Sequence, residues 1–346
     1  MINTKVHTLG KGLFVIAAGL TLAAGCGSGG DNNAANNAAN NATTNNTATT
    51  ETKNQTVRIG FSPNIVLPQP ILLQNNEKYS ALSKGLTYEF KSYPGGPGVI
   101  EALRAGIVDI GYSGVFPPLN AYSKAKDIVL LAGATTGGTE LSVAKNSPIK
   151  TVKDLKGKTI GVNQLGSTVD AMVRFNLIEA GLNPEKDVRI QPIDPAEQAE
   201  ALKHGDVQAV AAPAPWPSQV ALSGSGRALL NWKQILDNGK YAAGVVFTTK
   251  KFAEANPELV EQYLAVHRAV TDKINADRTA GNADVLAAWS KVTKKTLSPE
   301  VSKAAFSTIE YGNETDAAGV QRMADLSFKV GISRQKADMS GFIWKK

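Results

Sequence analysis

Cysteine, histidine and charged residues are scarce in this chain of 346 residues. It has one cysteine and three histidines, and 19% of its residues are charged. A single cysteine excludes an intrachain disulfide framework and any thiolate-rich zinc or iron–sulfur site. The histidines, His7, His204 and His267, are far apart in the sequence. We therefore expect no metal site and no cofactor.

Motifs of common catalytic sites are also missing. The chain has no G-x-S-x-G elbow, no phosphate-binding G-x-x-x-x-G-K-[ST] loop and no H-E-x-x-H pair. Its 37 basic and 30 acidic residues give a net charge of +7, but no basic patch with interleaved aromatic residues occurs, so no nucleic-acid partner is expected. The remaining classes are a binding protein, or an enzyme that uses Ser, Asp, Glu and Lys.

Residues 1–25 have the pattern of a secretory signal. Lys5 and Lys11 precede an apolar run from Leu13 to Ala24, which is too short for a membrane-spanning helix and ends in small residues. The run leads into Leu-Ala-Ala-Gly-Cys, which looks like a lipobox. We expect Cys26 to be lipidated and to anchor the mature protein to a membrane; the alternative is a soluble secreted protein with an unmodified Cys26.

Residues 26–56 are dominated by Asn, Ala, Thr and Gly. No apolar periodicity occurs here, so this segment cannot bury enough surface to offset the entropy of ordering it. We predict a disordered tether between the anchor and a globular body that begins at Val57.

The globular body contains an internal repeat. The stretch EALRAGIVDIG at 101–111 is echoed by EALKHGDVQAV at 200–210. In each, a predicted helix ends at a basic residue, Gly106 or Gly205 supplies the left-handed position after it, and a short strand follows. A strand and a proline-containing turn precede each helix. The pattern predicts two α/β lobes, each built on a mainly parallel sheet flanked by helices.

The order of predicted elements divides the body into three segments. Residues 57–142 form the first part of lobe 1, residues 143–238 form lobe 2, and residues 239–346 return to lobe 1 with the strand Gly244–Thr248 and a series of helices. Two connections between two lobes make a hinge, and a hinge creates a cleft that closes on a ligand. Ligands of open α/β sheets bind outside the carboxyl ends of the strands.

The turns at these strand ends combine glycine with hydroxyl or amide side chains. Glycine allows close approach of the backbone, and the N-terminus of a helix favours an anion. The turn Gly166-Ser167-Thr168 precedes a long predicted helix and Ser113-Gly114 precedes another, although an N-cap serine or threonine is more often only a cap. Trp216 lies among prolines in PAPWPS, where it forms either a wall for an organic ligand or a packing contact.

Four segments of residues 57–252 have a familiar pattern: VRIGFSPN, YPGGPGVIEALRAGIVDIGYSGVFPPL, SPIKTVKDLKGKTIGVNQLGSTVD, and EALKHGDVQAV with PAPWPS. In this order they resemble the substrate-binding proteins of bacterial ABC importers for aliphatic sulfonates, taurine and nitrate. The resemblance implies a two-lobed, type II periplasmic-binding-protein-like clamshell without enzymatic activity. It also implies a monomer on the extracytoplasmic face of the cell membrane that delivers a small anionic ligand to a permease.

In the family, hydroxyl, amide and backbone N–H groups of these turns bind the oxyanion and aromatic residues cover its organic tail. Carried onto this chain, the resemblance nominates Ser62, Asn64, Gly96, Ser113, Gly114, Thr139, Gly166, Ser167, Thr168 and Trp216. The chain has Val115 and Pro217 where relatives commonly carry an acid. An alkanesulfonate or taurine is the first expectation, nitrate or bicarbonate the second, and a pyrimidine precursor the third. Two further classes are a thiamin-precursor enzyme of the same fold, whose chemistry would require a histidine or cysteine facing the cleft, and a binding protein that signals to a receptor, which shares every residue feature.

Overall fold

The computed structural model of the protein describes residues 55–346. The predicted signal peptide, Cys26 and nearly all of the predicted tether lie outside these residues. The first strand begins at Gln55, so Gln55 and Thr56, which the composition assigned to the tether, belong to the folded body instead. No helix of residues 55–346 is both long enough and apolar enough to cross a membrane.

The first sheet has six strands. They are β1 (Gln55–Phe61), β2 (Leu86–Ser92), β3 (Ile110–Ser113), β4 (Ile128–Gly137), β10 (Ala242–Thr249) and β11 (Ile309–Tyr311). Their spatial order is β11-β4-β10-β3-β1-β2. Strand β1 is parallel to β2 and β3, whereas β10 is antiparallel to β3 and β4, and β11 is antiparallel to β4.

The second sheet has five strands. They are β5 (Thr139–Ala144), β6 (Thr159–Val162), β7 (Arg189–Pro192), β8 (Ala209–Pro213) and β9 (Gly226–Leu230), in the order β7-β6-β8-β5-β9. Strand β6 is parallel to β7 and β8, and β5 is antiparallel to β8 and β9. Both sheets are mixed, but most strands run in one direction: only β10 and β11 are reversed in the first sheet and only β5 in the second.

Helices cover both sheets. They are α1 (Pro68–Asn75), α2 (Glu77–Ser80), α3 (Gly96–Arg104), α4 (Phe116–Ala125), α5 (Thr168–Glu179), α6 (Gln198–His204), α7 (Trp216–Leu222), α8 (Lys250–Ala255), α9 (Pro257–Ala276), α10 (Arg278–Thr293), α11 (Pro299–Phe306) and α12 (Ala317–Lys329). The four residues of β3 and nine of the ten of β4 are buried, as expected of strands that are covered on both faces.

The internal repeat predicted from the sequence is confirmed. In the first sheet β1 leads through α1 and α2 to β2, and β2 leads through α3 to β3. In the second sheet β6 leads through α5 to β7, and β7 leads through α6 to β8; in each sheet the first of the three strands lies between the other two. The glycines after the two helices, Gly106 and Gly205, have φ of +66° and +80°. These are the left-handed conformations that end a helix at low steric cost in glycine.

Two chain segments connect the sheets. The first is Gly138, which lies between the last residue of β4, Gly137, and the first residue of β5; both glycines have φ of +81°. The second runs from β9 to β10 over residues 231–241 and returns the chain to the first sheet, as predicted for the strand at 244–248. The lobe boundaries at 142/143 and 238/239 stay a prediction.

Candidate functional site

Strand ends from both sheets surround a small cavity of about 60 Å³, called the inner cavity below. By volume it has room for about four water-sized groups. Strands β1, β3, β6 and β8 end at this cavity or within two residues of it. Its lining residues are Ser62, Asn64, Val66, Leu67, Gly95, Gly96, Ser113, Gly114, Pro117, Thr139, Asn163, Ser167, Thr168, Val169, Pro213 and Ala243.

Three helices begin at the inner cavity. Gly95 and Gly96 open α3, Ser113 and Gly114 precede α4, and Ser167 caps α5. The first N–H groups of a helix lack partners within that helix, and the aligned peptide dipoles place a partial positive charge there. At α4 these N–H groups are not free, because Phe116 donates to Thr168 Oγ1 and Pro117 and Pro118 have no N–H. The ends of α3 and α5 together with the dipole of α4 favour a bound anion in this small cavity.

No lining residue of the inner cavity is Asp, Glu, Lys, Arg or His. A negative charge bound there is therefore held by backbone N–H groups, hydroxyls and side-chain amides. Four of the hydroxyl residues are buried, with exposed fractions of 2% for Ser113 and Thr139, 5% for Ser167 and 6% for Thr168. Hydrogen bonds to a charged group are stronger than neutral ones, so a few such donors suffice.

Glycine is needed where the backbone segments around the cavity approach each other. A Cβ atom on Gly114 would lie 2.2 Å from Thr168 Oγ1, and one on Gly96 would lie 2.4 Å from Cγ of Pro117. Real Cβ contacts are not this short. Gly114 thus allows the segment before α4 to contact the start of α5, and Gly96 allows the start of α3 to contact the start of α4.

Hydrogen bonds join the two sides of the inner cavity. The backbone N–H of Phe116 donates to Thr168 Oγ1 at 3.2 Å, which joins the start of α4 to the start of α5. The Thr139 N–H donates to the buried Tyr241 hydroxyl at 2.8 Å. Thr139 opens β5 in the second sheet, and Tyr241 directly precedes β10 in the first. The elements of the two sheets that meet at the cavity are therefore hydrogen-bonded to each other.

A buried carboxylate lies at the N-terminus of α5. Asp170 accepts a hydrogen bond from the Gly166 N–H at 2.8 Å and pairs with Arg174 at 2.9 Å. Burial raises the pKa of Asp170, while the Gly166 N–H and Arg174 oppose that rise. The pairing with Arg174 balances the charge of the carboxylate, which would otherwise oppose an anion at this helix end.

Eight of the ten residues nominated from the sequence line the inner cavity: Ser62, Asn64, Gly96, Ser113, Gly114, Thr139, Ser167 and Thr168. Gly166 does not line it, and its N–H donates to Asp170. Trp216 begins α7 and lines the neighbouring outer cavity described next. Their roles in ligand binding stay predictions.

The outer cavity is larger, about 580 Å³, and shares Ser62, Asn64, Asn163 and Pro213 with the inner one. Its remaining walls include Tyr93, Trp216, Asp194 and Lys295. The Lys295 ammonium lies 5.0 Å from the centre of the Trp216 ring and 3.9 Å from an Asp194 oxygen. Trp216 also packs edge-on against the fully buried Trp289, with ring centres 6.0 Å apart.

Sequence reasoning missed Asn163, Tyr93, Asp194 and Lys295. The first three follow strands β6, β2 and β7, so the rule that ligands bind at the carboxyl ends of strands would have found them. Lys295 follows helix α10. It reaches the cavity only through tertiary packing, and no local signal marks it.

A buried polar chain lies behind the site. The Tyr112 hydroxyl lies 2.7 Å from that of Tyr263 and 2.8 Å from Nδ1 of His267, and His267 Nε2 lies 2.8 Å from the Gly133 carbonyl oxygen. The carbonyl only accepts, so Nε2 carries the proton and Nδ1 accepts from Tyr112. Burial lowers the pKa of His267 to about 4. This histidine is therefore a structural residue of the core beside β3, whose last residue is Ser113.

Metal-ligand clusters are absent from the described part of the chain: residues 55–346 contain no group of three His, Cys, Asp or Glu side chains placed to hold an ion. His204 is exposed at the end of α6, where it lies 3.8 Å from Glu200. The donors of the inner cavity are consequently the chemical groups that define the site.

Comparison with models of known protein families assigns the chain to one of them. The model of the NMT1-like family matches residues 50–291, which include every residue of the inner cavity. The chain belongs to the NMT1-like family. The range of this NMT1-like protein that the family model matches ends inside α10, before Lys295.

Named relatives of this NMT1-like protein are binding proteins. It is 26% identical to a putative aliphatic sulfonates-binding protein of Escherichia coli over 85% of this chain and 90% of that one. It is 26% identical to a protein of the same description from Bacillus subtilis over 96% and 94%, respectively. A taurine-binding periplasmic protein of Escherichia coli is 28% identical over 56% of this chain and 60% of its own.

Solved structures confirm the fold of the NMT1-like chain. The alkanesulfonate-binding protein SsuA of Xanthomonas axonopodis, bound to MOPS, superposes with a TM-score of 0.71 at 23% identity, over 85% of this chain and 99% of that one. The periplasmic nitrate-binding protein NrtA of Synechocystis gives a TM-score of 0.67 at 15% identity, over 84% of each chain. The predicted periplasmic-binding-protein fold is confirmed.

Proposed function

We propose that this protein is the substrate-binding protein of an ABC importer and that it captures a small organic oxyanion, an alkanesulfonate or taurine. The observation that carries the proposal is the inner cavity, where three helix N-termini and neutral donors meet beside a larger cavity with aromatic walls. We assign the protein no catalytic role. It binds its ligand outside the cytoplasm and hands it to a membrane permease.

The inner cavity supports an oxyanion as the head group. Its donors are N–H, hydroxyl and amide groups, and no carboxylate lines it to repel a negative charge. A sulfonate is ionised at all physiological pH values and its oxygens need only hydrogen-bond donors. The room for about four water-sized groups corresponds to a sulfur atom and three oxygens.

The outer cavity supports an organic tail on that head group. Its volume of about 580 Å³ exceeds what nitrate or bicarbonate requires, and Tyr93 and Trp216 offer apolar ring surface. Ligand sites commonly combine such apolar walls with a few polar groups that fix orientation. This cavity therefore favours an alkanesulfonate or taurine over an inorganic anion.

Isothermal titration calorimetry of the purified protein tests the proposal. The panel contains taurine, alkanesulfonates of increasing chain length, nitrate, bicarbonate and a pyrimidine, each added to the same preparation. We expect heat of binding from the sulfonates, with a dissociation constant in the micromolar range or below, and no conversion of the ligand after recovery. Binding of nitrate or the pyrimidine without any sulfonate would contradict the proposal.

A further inference from the structure

Asn163 lies at the junction of the inner and outer cavities and is one of four residues that line both. It directly follows β6, whose residues Ile160–Val162 pair with β8. Its position is thus set by the second sheet rather than by a mobile loop. A ligand with its head in the inner cavity and its tail in the outer one must pass this side chain.

The orientation of the Asn163 amide is set by one hydrogen bond. The Ser167 hydroxyl donates to Asn163 Oδ1 at 3.0 Å. Because Oδ1 accepts from the Ser167 hydroxyl, the Nδ2 group of the amide points away from that hydroxyl. No protein group of residues 55–346 accepts a hydrogen bond from Nδ2, so both of its N–H groups are available to a ligand.

An amide donor at this point matches the chemistry of the rest of the inner cavity. The other groups there are neutral, and the nearby carboxylate of Asp170 is engaged by Arg174 and the Gly166 N–H. We propose that Asn163 is a specificity-determining residue whose Nδ2 group donates to an oxygen of the bound oxyanion where head and tail meet. This inference rests on the proposed function and adds to it a donor that selects for an anionic head group.

The substitution Asn163→Asp separates this role from a structural one. The carboxylate still accepts the hydrogen bond of Ser167, so the local fold is kept, but it replaces two N–H donors with an acceptor and a negative charge. The matched control is Asn183→Asp, since Asn183 is exposed in the turn after α5 and its oxygen, which accepts from the Glu185 N–H at 2.9 Å, is retained.

Calorimetry with taurine and the alkanesulfonates is done on the wild type and both variants, and the melting temperature without ligand is recorded for each. We expect Asn163→Asp to lose at least 100-fold in affinity while melting close to the wild type, and Asn183→Asp to bind as the wild type does. If Asn163→Asp melts much lower, Asn163→Ala is measured instead, with at least a 10-fold loss expected.

Three results overturn the inference. The first is wild-type affinity in Asn163→Asp or Asn163→Ala, which rejects the role of Asn163 alone. The second is an equal loss of affinity in Asn183→Asp, which would show a general effect of added negative charge. The third is a wild type that binds no sulfonate, which rejects the proposed function and this inference together.

Discussion

At the scale of single residues, the inner cavity depends on hydroxyls that have two functions. Ser167 caps α5 by accepting a hydrogen bond from the Asp170 N–H at 3.3 Å and also lines the cavity. Thr168 accepts from the Phe116 N–H across the cavity. A change at either position thus affects both the helix end and the ligand, and a control must separate the two.

Replacement of Thr168 by alanine is expected to weaken sulfonate binding by about 1 kcal/mol or more, because its hydroxyl loses a hydrogen bond to a charged oxygen. The Ser167 hydroxyl proton is used by Asn163 Oδ1, so Ser167→Ala is expected to weaken binding by releasing the Asn163 amide from its orientation. Calorimetry of each variant measures this. Ser298→Ala is the matched control, because Ser298 caps α11 through the Val301 N–H and lines neither cavity. The Ser298→Ala variant should be less stable than the wild type but should bind the sulfonate with the same affinity. Unchanged affinity in both Ser167→Ala and Thr168→Ala would show that these two residues are not part of the site.

Gly114 provides a steric test of the close approach between the segment before α4 and the start of α5. The added methyl group of Gly114→Ala would lie 2.2 Å from Thr168 Oγ1, so the start of α5 has to move and the donors around the cavity separate. We expect a loss of affinity of tenfold or more. Gly312→Ala, where the added carbon meets no atom within 4 Å, should bind normally; normal binding by Gly114→Ala as well would refute the tight approach.

At the scale of secondary-structure elements, the chain Tyr263–Tyr112–His267–Gly133 connects α9 to β3 and β4. All donors and acceptors in this chain are satisfied only while His267 is neutral. Protonation of Nδ1 would direct an N–H toward the Tyr112 hydroxyl, which would have to reverse. Acid should therefore loosen the core directly behind the strand that carries Ser113.

The pH dependence of stability follows from the pKa of His267. Burial lowers that pKa to about 4 in the folded protein, whereas an unfolded histidine titrates near 6.5. Between these values the unfolded chain binds more protons, so the free energy of unfolding falls as pH decreases from about 6.5 to 4, by roughly 3 kcal/mol in total. Urea unfolding at several pH values measures the fall.

A comparison of variants assigns this pH dependence to one histidine. His267→Gln should be less stable at neutral pH and should lose this part of the slope, while His204→Gln, which removes the exposed histidine of α6, should keep the wild-type slope. Equal slopes in the wild type and His267→Gln would contradict the assignment.

Local signals explain why some elements were predictable. Helix α9 (Pro257–Ala276) is one of the helices expected after the returning strand, because proline opens it and apolar residues recur at helical spacing. Helix α7 was missed because PAPWPS resembles a rigid turn, although Pro217 occupies an early helical position where proline is tolerated. Strand β11 was missed because its three residues are a strand only through pairing with β4.

In the candidate site, too, some residues were predictable from local sequence and others were not. The predicted residues of the inner cavity follow strands or open helices, so sequence patterns found them. Lys295 and the pairing of Trp216 with Trp289 depend on how α10 packs near α7, and no local pattern encodes that. The mixed strand directions were also not predictable, since they result from the two connections between the sheets.

At the scale of the whole molecule, we expect the two connections between the sheets to act as a hinge that lets the two sides of the cavity separate. In the structure these sides are joined by the hydrogen bonds of Phe116 to Thr168 and of Thr139 to Tyr241, which we expect in a closed arrangement. A ligand that bonds to both sides stabilises this state relative to an open one. Ligand binding should thus shift the population toward the closed form.

Small-angle X-ray scattering measures this shift. We expect a smaller radius of gyration with saturating alkanesulfonate than without ligand, and no change for Asn163→Asp at the same concentration. Scattering curves that superpose for the wild type with and without a ligand shown to bind by calorimetry would contradict closure.

Our central claim is that the head group of an organic oxyanion occupies the inner cavity. A crystal structure of the protein with a bound alkanesulfonate tests this most directly. We expect sulfonate oxygens within about 3 Å of donors from Ser113, Asn163 and Thr168, with the carbon tail directed toward Trp216. A sulfonate bound elsewhere, or one whose tail fills the inner cavity while its oxygens face the outer one, would contradict the claim.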